Sequence, residues 1–199
     1  MKLHPIFLST LLSLVIGCLT FSSNGGDSNN NATNVSMISG QSKEISKQFD
    51  AAVRLIPNFH QVNHDIYRSG RPTKEGVAAL AGLGIKTILS IQDYGGDQDQ
   101  AADERNWARA VNINWIQVPM HGLKRPTIEQ IRLALSTLSD QTNYPMLVHC
   151  QKGSDRTGLV VASYHIKHDG WDIEKAKEDM YTFGHSRWLF WWDSVLDHI

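Results

Sequence analysis

His149-Cys150-Gln151-Lys152-Gly153-Ser154-Asp155-Arg156-Thr157-Gly158 is the most informative segment of this 199-residue chain. It follows a short apolar run, Tyr144 to Val148, that is typical of a buried strand. It opens a second run, Leu159 to Tyr164, that predicts a helix. A loop between a strand and a helix N-terminus presents unpaired backbone N–H groups to an anion. The pattern therefore predicts an anion-binding cradle at residues 149–158.

A cysteine at the first position of this loop and an arginine at the last predict cleavage of phosphate esters. The thiolate is the nucleophilic form of cysteine, and a free thiol with a pKa of about 8.5 is mostly protonated at neutral pH. Backbone N–H groups, the helix N-terminus and the Arg156 guanidinium all favour the anion, so we expect the pKa of Cys150 to be lowered. Arg156 can also bind two phosphoryl oxygens at once.

The other loop residues are predicted to wrap the backbone around the phosphoryl group. Gly153 permits the left-handed conformation that such a tight turn needs. The Thr157 hydroxyl is placed to hydrogen-bond the sulfur and ease its release. The residues predicted to bind phosphate are Gln151, Lys152, Gly153, Ser154, Asp155 and Arg156. The supporting residues are His149 and Thr157 beside them, with Lys124 and Arg125 on an earlier loop.

The Cys-x5-Arg loop resembles that of the protein tyrosine and dual-specificity phosphatases. Residues 65–73, Asp-Ile-Tyr-Arg-Ser-Gly-Arg-Pro-Thr, are similar to the opening of compact dual-specificity-like members in bacteria, plants and fungi. The resemblance implies a single α/β domain, with a central, mostly parallel sheet flanked by helices and the phosphate loop between the last parallel strand and a helix. It implies a phosphoric monoester hydrolase that needs no metal or cofactor. Arg68 either supports the cradle or joins a surface salt bridge.

Strand and helix patterns alternate from about Phe49 onward, which independently predicts a sheet with helices packed on it. Strands are predicted at residues 66–70, 85–91, 115–119 and 146–149. Helices are predicted at residues 73–83, 97–110, 127–139, 157–168, 173–181 and 186–198. Thr127 and Gln130 fit a capping box at the start of the third of these helices.

The general acid is not fixed by the sequence. Protonating the leaving oxygen contributes roughly 10²–10⁴ in rate, but the loop where the family usually carries an aspartate reads Pro-Met-His-Gly-Leu-Lys-Arg-Pro here, at residues 119–126. Asp155 matches the Asp-Arg-Thr ending of myotubularins and some bacterial members, and it is the favoured candidate. The alternatives are His121 on the expected loop and Asp93, Asp97 or Asp99 after an earlier strand.

Two substrate classes stay open. Lys152, Lys124 and Arg125 place positive charge near the predicted mouth, which favours an inositol polyphosphate, an inositol pyrophosphate or a phosphoinositide head group. Residues 119–126 also resemble the corresponding loop of fungal and plant relatives that act on inositol pyrophosphates. Phosphotyrosine in a protein needs only a deep cleft with an apolar wall. The expected partner is thus a phosphorylated protein or a small phosphoester.

The N-terminal segment predicts export. Residues 1–17 resemble a lipoprotein signal peptide, because an apolar stretch from Ile6 to Ile16 leads into Val-Ile-Gly-Cys, similar to the bacterial lipobox. Acylation of Cys18 would anchor the chain at the periplasm-facing cell envelope, and Leu19 favours the outer membrane. Residues 18–48, rich in Ser, Asn and Gly, are predicted to be a disordered tether, and residues 49–199 the phosphatase domain. Membrane contact is expected through the lipid alone.

Composition argues against several other classes. A net charge of −1 gives no indication of nucleic-acid binding, and the two cysteines, Cys18 and Cys150, imply no disulfide framework. A non-catalytic phosphate-binding module would not need both Cys150 and Arg156. Sulfur or arsenate chemistry on a thiol relay would need a second cysteine. The sequence does not indicate an oligomeric state.

The aromatic run Trp188 to Trp192 continues into Val195, Leu196 and Ile199 at helical spacing. This spacing predicts packing into the core rather than a membrane-dipping patch. His165 and His185 have no metal-ligand spacing with acidic residues and are predicted to be structural.

Overall fold

The structure is a computed structural model that describes residues 28–199, with side chains from residue 40. The predicted signal peptide at 1–17 and the predicted acylation site Cys18 lie outside the described residues. The helices are α1 (Ser28–Leu55), α2 (Lys74–Gly82), α3 (Gln98–Ala110), α4 (Ile128–Ser139), α5 (Asp155–Asp169) and α6 (Ile173–Thr182). The strands are β1 (His60–Gln61), β2 (Ile66–Ser69), β3 (Thr87–Gln92), β4 (Asn114–Met120) and β5 (Met146–His149).

The strands form one sheet in the order β1-β2-β5-β3-β4. Only β1 runs antiparallel to its neighbour, and β5 pairs in parallel with β2 on one side and β3 on the other. Ser69, His149 and Ser90 therefore lie side by side where these three strands end. Loops at the carboxyl edge of parallel strands are the usual site of ligand binding. The predicted α/β architecture is confirmed, with the phosphate loop between β5 and α5.

Helices cover both faces of the sheet, and the central strands alternate between two cores. Leu147 and Ile88 point into a core formed with α1, α2 and α3. Met146, Val148 and Leu89 point into the other core, formed with α4, α5, α6 and the C-terminal segment. The alternation follows from the two-residue period of a strand. Packing in both cores holds β5, the strand that leads directly into Cys150, on both of its faces.

A disordered tether was predicted for residues 18–48. Residues 18–27 lie outside the described residues, and residues 28–48 belong to helix α1. Phe49, Ala52 and Ile56 recur at helical spacing and pack in the core beside α2, which fixes the end of this helix. Residues 41–199 form one compact unit, so the domain begins before the predicted boundary at 49. Within residues 28–199, no helix has both the length and the apolar character needed to cross a membrane.

The C-terminal segment, Arg187–His198, consists of 3₁₀ turns with a kink at Leu189, where the sequence predicted one ordinary helix. Leu189, Trp192 and Val195 are buried, as predicted, and their spacing of three matches the 3₁₀ period. The prediction of core packing is wrong for Trp188, Phe190 and Trp191, which are 60%, 68% and 41% exposed.

Candidate active site

The loop after β5 leaves the first turn of α5 open to an anion. The helix begins at Asp155, two residues before the predicted start, and Ser154 occupies the N-cap position without making a side-chain cap hydrogen bond. The N–H groups of a first helical turn have no partner inside the helix. With no cap to satisfy them, they can donate to a bound phosphoryl group.

Cys150 lies at the base of this cradle, and its side chain is almost fully buried. Its sulfur accepts a hydrogen bond from the backbone N–H of Gly153 at 3.3 Å. Burial alone would raise the pKa of the Cys150 thiol, but the charge of Arg156 and hydrogen bonding from Thr157 and Gly153 outweigh it and lower the pKa. The expected thiolate therefore has a physical basis in the structure.

Arg156 is held next to the loop that follows β4. Its Nη1 donates to the carbonyl oxygen of Met120 at 3.0 Å, and the residue is buried. A Cβ added to Gly122 would lie 3.6 Å from Arg156 Nη2, so this loop approaches the guanidinium closely. The predicted pair of nucleophile and anion-binding arginine is thus brought together at one end of the sheet.

Gly153 meets two requirements at one position. Its φ of +77° is in the left-handed region, as the tight turn predicted. A Cβ here would also lie 2.4 Å from the backbone nitrogen of Gly70, at the end of β2. The loop therefore rests directly against backbone, which the sequence pattern did not reveal.

Arg68, on strand β2, supports the phosphate loop through contacts of its guanidinium. Its Nη1 donates to Asp179 at 3.1 Å, its Nη2 donates to the Gly153 carbonyl at 3.4 Å, and its guanidinium lies 4.2 Å from the Phe183 ring centroid. Burial lowers the pKa of Arg68 to about 10, against the opposing influence of Asp179. With 1% of its side chain exposed, Arg68 supports the cradle and is not part of a surface salt bridge.

Asn58 provides a second support that sequence reasoning missed. Its Nδ2 donates to the carbonyl oxygens of Gly153 at 3.0 Å and Phe183 at 3.1 Å. These partners are distant in the chain and carry no motif. The Asn58 loop approaches Gly70, whose N–H donates to the Pro57 carbonyl. Because this approach exists only in the folded chain, no sequence signal could have indicated a role for Asn58.

His149 belongs to a buried polar cluster behind the loop. Its Nε2 lies 2.7 Å from Oε1 of Glu104 on α3, and both side chains are fully buried. The Tyr94 hydroxyl and the Trp115 indole N–H also donate to the Glu104 carboxylate, each at 2.9 Å. Burial of Glu104 could not be predicted from the sequence, because α3 is rich in charged residues and only one face of it is covered.

Asp155 points towards the turn before the C-terminal segment. Its Oδ1 accepts the backbone N–H of Ser186 at 2.7 Å and lies 3.5 Å from His185 Nδ1. His185 Nε2 in turn lies 3.4 Å from Asp193. The two carboxylates around His185 were not expected from sequence spacing. This arrangement ties the start of α5 to the C-terminal turn.

The other candidate acids differ in their surroundings. His121 Nδ1 accepts the backbone N–H groups of Leu123 and Lys124 at 3.0 and 3.2 Å, so the imidazole shapes its own loop. Asp97 caps α3, and Asp99 is exposed in its first turn. Asp93 donates its backbone N–H to the Met120 carbonyl, the same oxygen that accepts from Arg156.

The predicted basic residues lie on the phosphate loop and on the loop after β4. Lys152 is exposed on the phosphate loop beside exposed Gln151. Lys124 is exposed on the loop that approaches Arg156. Arg125, next to it, donates to the Ser194 hydroxyl at 2.9 Å and so reaches the C-terminal segment.

Comparison with known proteins agrees with this geometry. A model described as "Tyrosine phosphatase family" matches residues 55–189. The chain is 30% identical over 128 residues to the dual specificity protein phosphatase TpbA of Pseudomonas aeruginosa (strain UCBPP-PA14), covering 64% of this chain and 55% of that protein. It is 32% identical over 113 residues to an inositol diphosphatase of Oryza sativa subsp. japonica, covering 54% of this chain and 49% of the relative.

A solved structure shows the same fold. The core catalytic domain of the PP-IP phosphatase SIW14 from S. cerevisiae aligns with a TM-score of 0.60 at 27% identity, covering 72% of this chain and 86% of that one. The chain spans about half the length of the curated relatives it matches. With the family pattern matched over most of the domain and the Cys-x5-Arg loop folded around an anion cradle, the chain belongs to the tyrosine phosphatase family.

Proposed function

We propose that this chain hydrolyses phosphomonoesters through a phosphocysteine intermediate, with phosphotyrosine in proteins as its main substrate. The observation that carries the proposal is the placement of Cys150, whose sulfur lies under the Gly153 N–H and beside Arg156 at an uncapped helix N-terminus. This is the arrangement that favours a thiolate and a phosphoryl group together.

The reaction follows from these positions. The Cys150 sulfur attacks phosphorus in line with the leaving oxygen, forming the S–P bond while the P–O bond breaks. Arg156 and the loop N–H groups stabilise the charge on the equatorial oxygens. Water then attacks phosphorus and the S–P bond breaks, which releases phosphate and restores the thiolate. The Thr157 hydroxyl is buried, and apart from the Cys150 sulfur it has no hydrogen-bond partner among the described residues. It is therefore available to stabilise the departing sulfur.

We assign the general acid to Asp93 rather than to Asp155 or His121. Asp93 shares the Met120 carbonyl with Arg156 and follows β3, the neighbour of β5, so it lies at the edge of the sheet that bears the site. Gly95 and Gly96, both with positive φ, form a tight turn shortly after it. Both carboxylates accept a backbone N–H, but Asp93 Oδ1 accepts it from Gly95 in its own loop at 3.0 Å, whereas Asp155 is tied to Ser186 and His185 in the C-terminal turn.

Phosphotyrosine is favoured as substrate because the nucleophile is deep, with Cys150 only 1% exposed. A long aromatic ester reaches such a depth, whereas a short serine ester does not. A second candidate is an inositol pyrophosphate, which the exposed Lys152 and Lys124 favour by charge. One relative named above is an inositol diphosphatase, which supports the same candidate.

The test compares phosphotyrosine peptides with inositol pyrophosphates on the purified full chain, with Cys150→Ser as the inactive control. We expect kcat/KM for the peptides to be at least about tenfold higher, a difference of about 1.4 kcal/mol in transition-state binding. A reversed order would establish the second candidate. Phosphate release by Cys150→Ser equal to that of the wild type would exclude the mechanism.

We also propose export and anchoring through an acylated Cys18, with the outer membrane as the destination. The support is the lipobox-like Val-Ile-Gly-Cys after an apolar stretch. Mass spectrometry of the N-terminal peptide from bacterial membranes should show a lipid on Cys18. Cys18→Ala should release the protein from the membrane fraction, and an unmodified Cys18 in a membrane-bound chain would contradict the proposal.

A further inference from the structure

Glu104 and His149 form a fully buried pair directly behind the nucleophile. His149 is the last residue of β5 and precedes Cys150, while Glu104 reaches it from the inner face of α3. Burying two ionisable groups is costly unless they are paired and hydrogen-bonded. The mechanism above uses neither group, so their presence needs a physical explanation.

Glu104 is an acceptor in every contact it makes. The Tyr94 hydroxyl donates to its Oε2, while the Trp115 indole N–H donates to its Oε1. The His149 Nε2 is the third donor, at 2.7 Å. Burial raises the pKa of Glu104, but the charge and hydrogen bond of His149, with those of Trp115 and Tyr94, outweigh it and lower the pKa. Three donors around a buried carboxyl favour its ionised form.

Both ring nitrogens of His149 face acceptors. Nε2 faces the Glu104 carboxylate, and Nδ1 lies 3.1 Å from the backbone carbonyl oxygen of Cys150, which can only accept. A hydrogen bond at each nitrogen requires a proton on each, which makes the ring an imidazolium. Burial lowers the pKa of His149, but Glu104 and the Cys150 carbonyl and sulfur outweigh it and raise the pKa.

We propose that Glu104 is a positioning residue that acts through His149, keeping the imidazole doubly protonated so that it fixes the Cys150 peptide and helps to hold the sulfur as a thiolate. The remaining group facing the pair is Tyr94, whose phenol stays neutral because burial and Glu104 raise its pKa. Arg71 faces Tyr94 from the loop after β2. The inference rests on Cys150 as the nucleophile of the proposed function.

The experiment measures the two protonation states directly on the full chain. Nitrogen-15 NMR of labelled histidine should show His149 doubly protonated at pH 7 in the wild type and singly protonated in Glu104→Gln. The pH dependence of iodoacetamide alkylation gives the pKa of Cys150. We expect Glu104→Gln to raise the pKa of Cys150 read from this profile by about one unit, which slows alkylation about tenfold at pH values below both pKa values.

Asp103→Asn is the matched control, because it removes the same charge from the neighbouring, exposed position of α3. It should leave both readouts within twofold of the wild type. A neutral His149 in the wild type would overturn the inference, and this measurement needs no variant to fold. An unchanged alkylation profile in Glu104→Gln would overturn it equally. If neither phosphotyrosine nor inositol phosphates are hydrolysed while both readouts agree, the proposed function fails and the inference stands.

Discussion

Matched substitutions of single residues can separate steric contact from backbone conformation in the phosphate loop. Gly153 and Gly84 have nearly the same positive φ, +77° and +79°. A Cβ at Gly84 meets nothing within 4 Å, whereas at Gly153 it meets the backbone of Ser69 and Gly70 within 2.5 Å. Substitution by alanine would therefore strain the backbone similarly at both glycines, whereas only the Cβ at position 153 would clash with neighbouring atoms.

Gly153→Ala is expected to lower kcat/KM for p-nitrophenyl phosphate at least about tenfold, because relieving the contact with Gly70 must displace the loop that binds phosphate. Gly84→Ala should cost about 1 kcal/mol of unfolding free energy from its left-handed backbone and leave kcat/KM unchanged. Steady-state kinetics and urea unfolding of both variants provide the comparison. An equal loss of kcat/KM in the two variants would mean that backbone strain, and not the contact with Gly70, accounts for the effect of Gly153→Ala.

Asp93→Asn tests the assignment of the acid through the leaving group. A poor leaving group such as phenol depends on protonation, whereas p-nitrophenolate departs without it. We expect Asp93→Asn to lose roughly 10²-fold on phenyl phosphate and far less on p-nitrophenyl phosphate. Asp155→Asn should lower both rates by a similar factor, since its carboxylate orders the Ser186 turn. The opposite pattern would return the acid to Asp155.

Pairs of elements are joined by buried polar contacts, and Arg68 with Asp179 joins β2 to α6. Asp179→Asn leaves a buried guanidinium without its counter-charge, which should lower the unfolding free energy by about 2–4 kcal/mol. Glu174→Gln breaks the exposed Lys177–Glu174 pair on the same helix and should change it by less than about 0.5 kcal/mol. Urea denaturation measures both, and comparable losses would refute the supporting role of Arg68.

The Glu104–His149 pair joins α3 to β5 and gives stability a defined pH window. The pKa of Glu104 is lowered from 4.5, so its contribution is present above pH 4.5 and lost as the pH falls through the lowered value. The pKa of His149 is raised from 6.5, so its contribution is complete below pH 6.5 and lost as the pH rises through the raised value. The stability difference between wild type and Glu104→Gln should therefore be largest between pH 4.5 and 6.5. A difference independent of pH would contradict this.

Elements with local signals were predicted closely from sequence. The capping box at the start of α4 is confirmed, since Thr127 and Gln130 exchange hydrogen bonds at 2.9 and 3.2 Å. The strand predicted at residues 146–149 is confirmed as β5. Helix α1 was missed because its polar composition suggests disorder, and its docking depends on a few apolar residues near its end. Short β1 has no periodicity to detect.

Across the whole molecule, the phosphate loop predicted the fold and its central chemistry, but not its supports. Asn58, Glu104 and Asp179 come from three separate segments; after folding the first two contact the loop and Asp179 supports it through Arg68. None of them stands in a motif, and polar residues in charged surroundings give no sign of burial. Predicting them would require knowing which faces of the sheet and helices meet.

The two hydrogen bonds of Asn58 have a consequence for biosynthesis. This one amide joins the phosphate loop to the carbonyl of Phe183, which directly follows helix α6. Because ribosomes synthesise the chain from its amino end, the nucleophile is translated before the segment that braces it. Catalysis should therefore begin only after Phe183 has been translated, and a nonsense codon after Thr182 should yield an inert product.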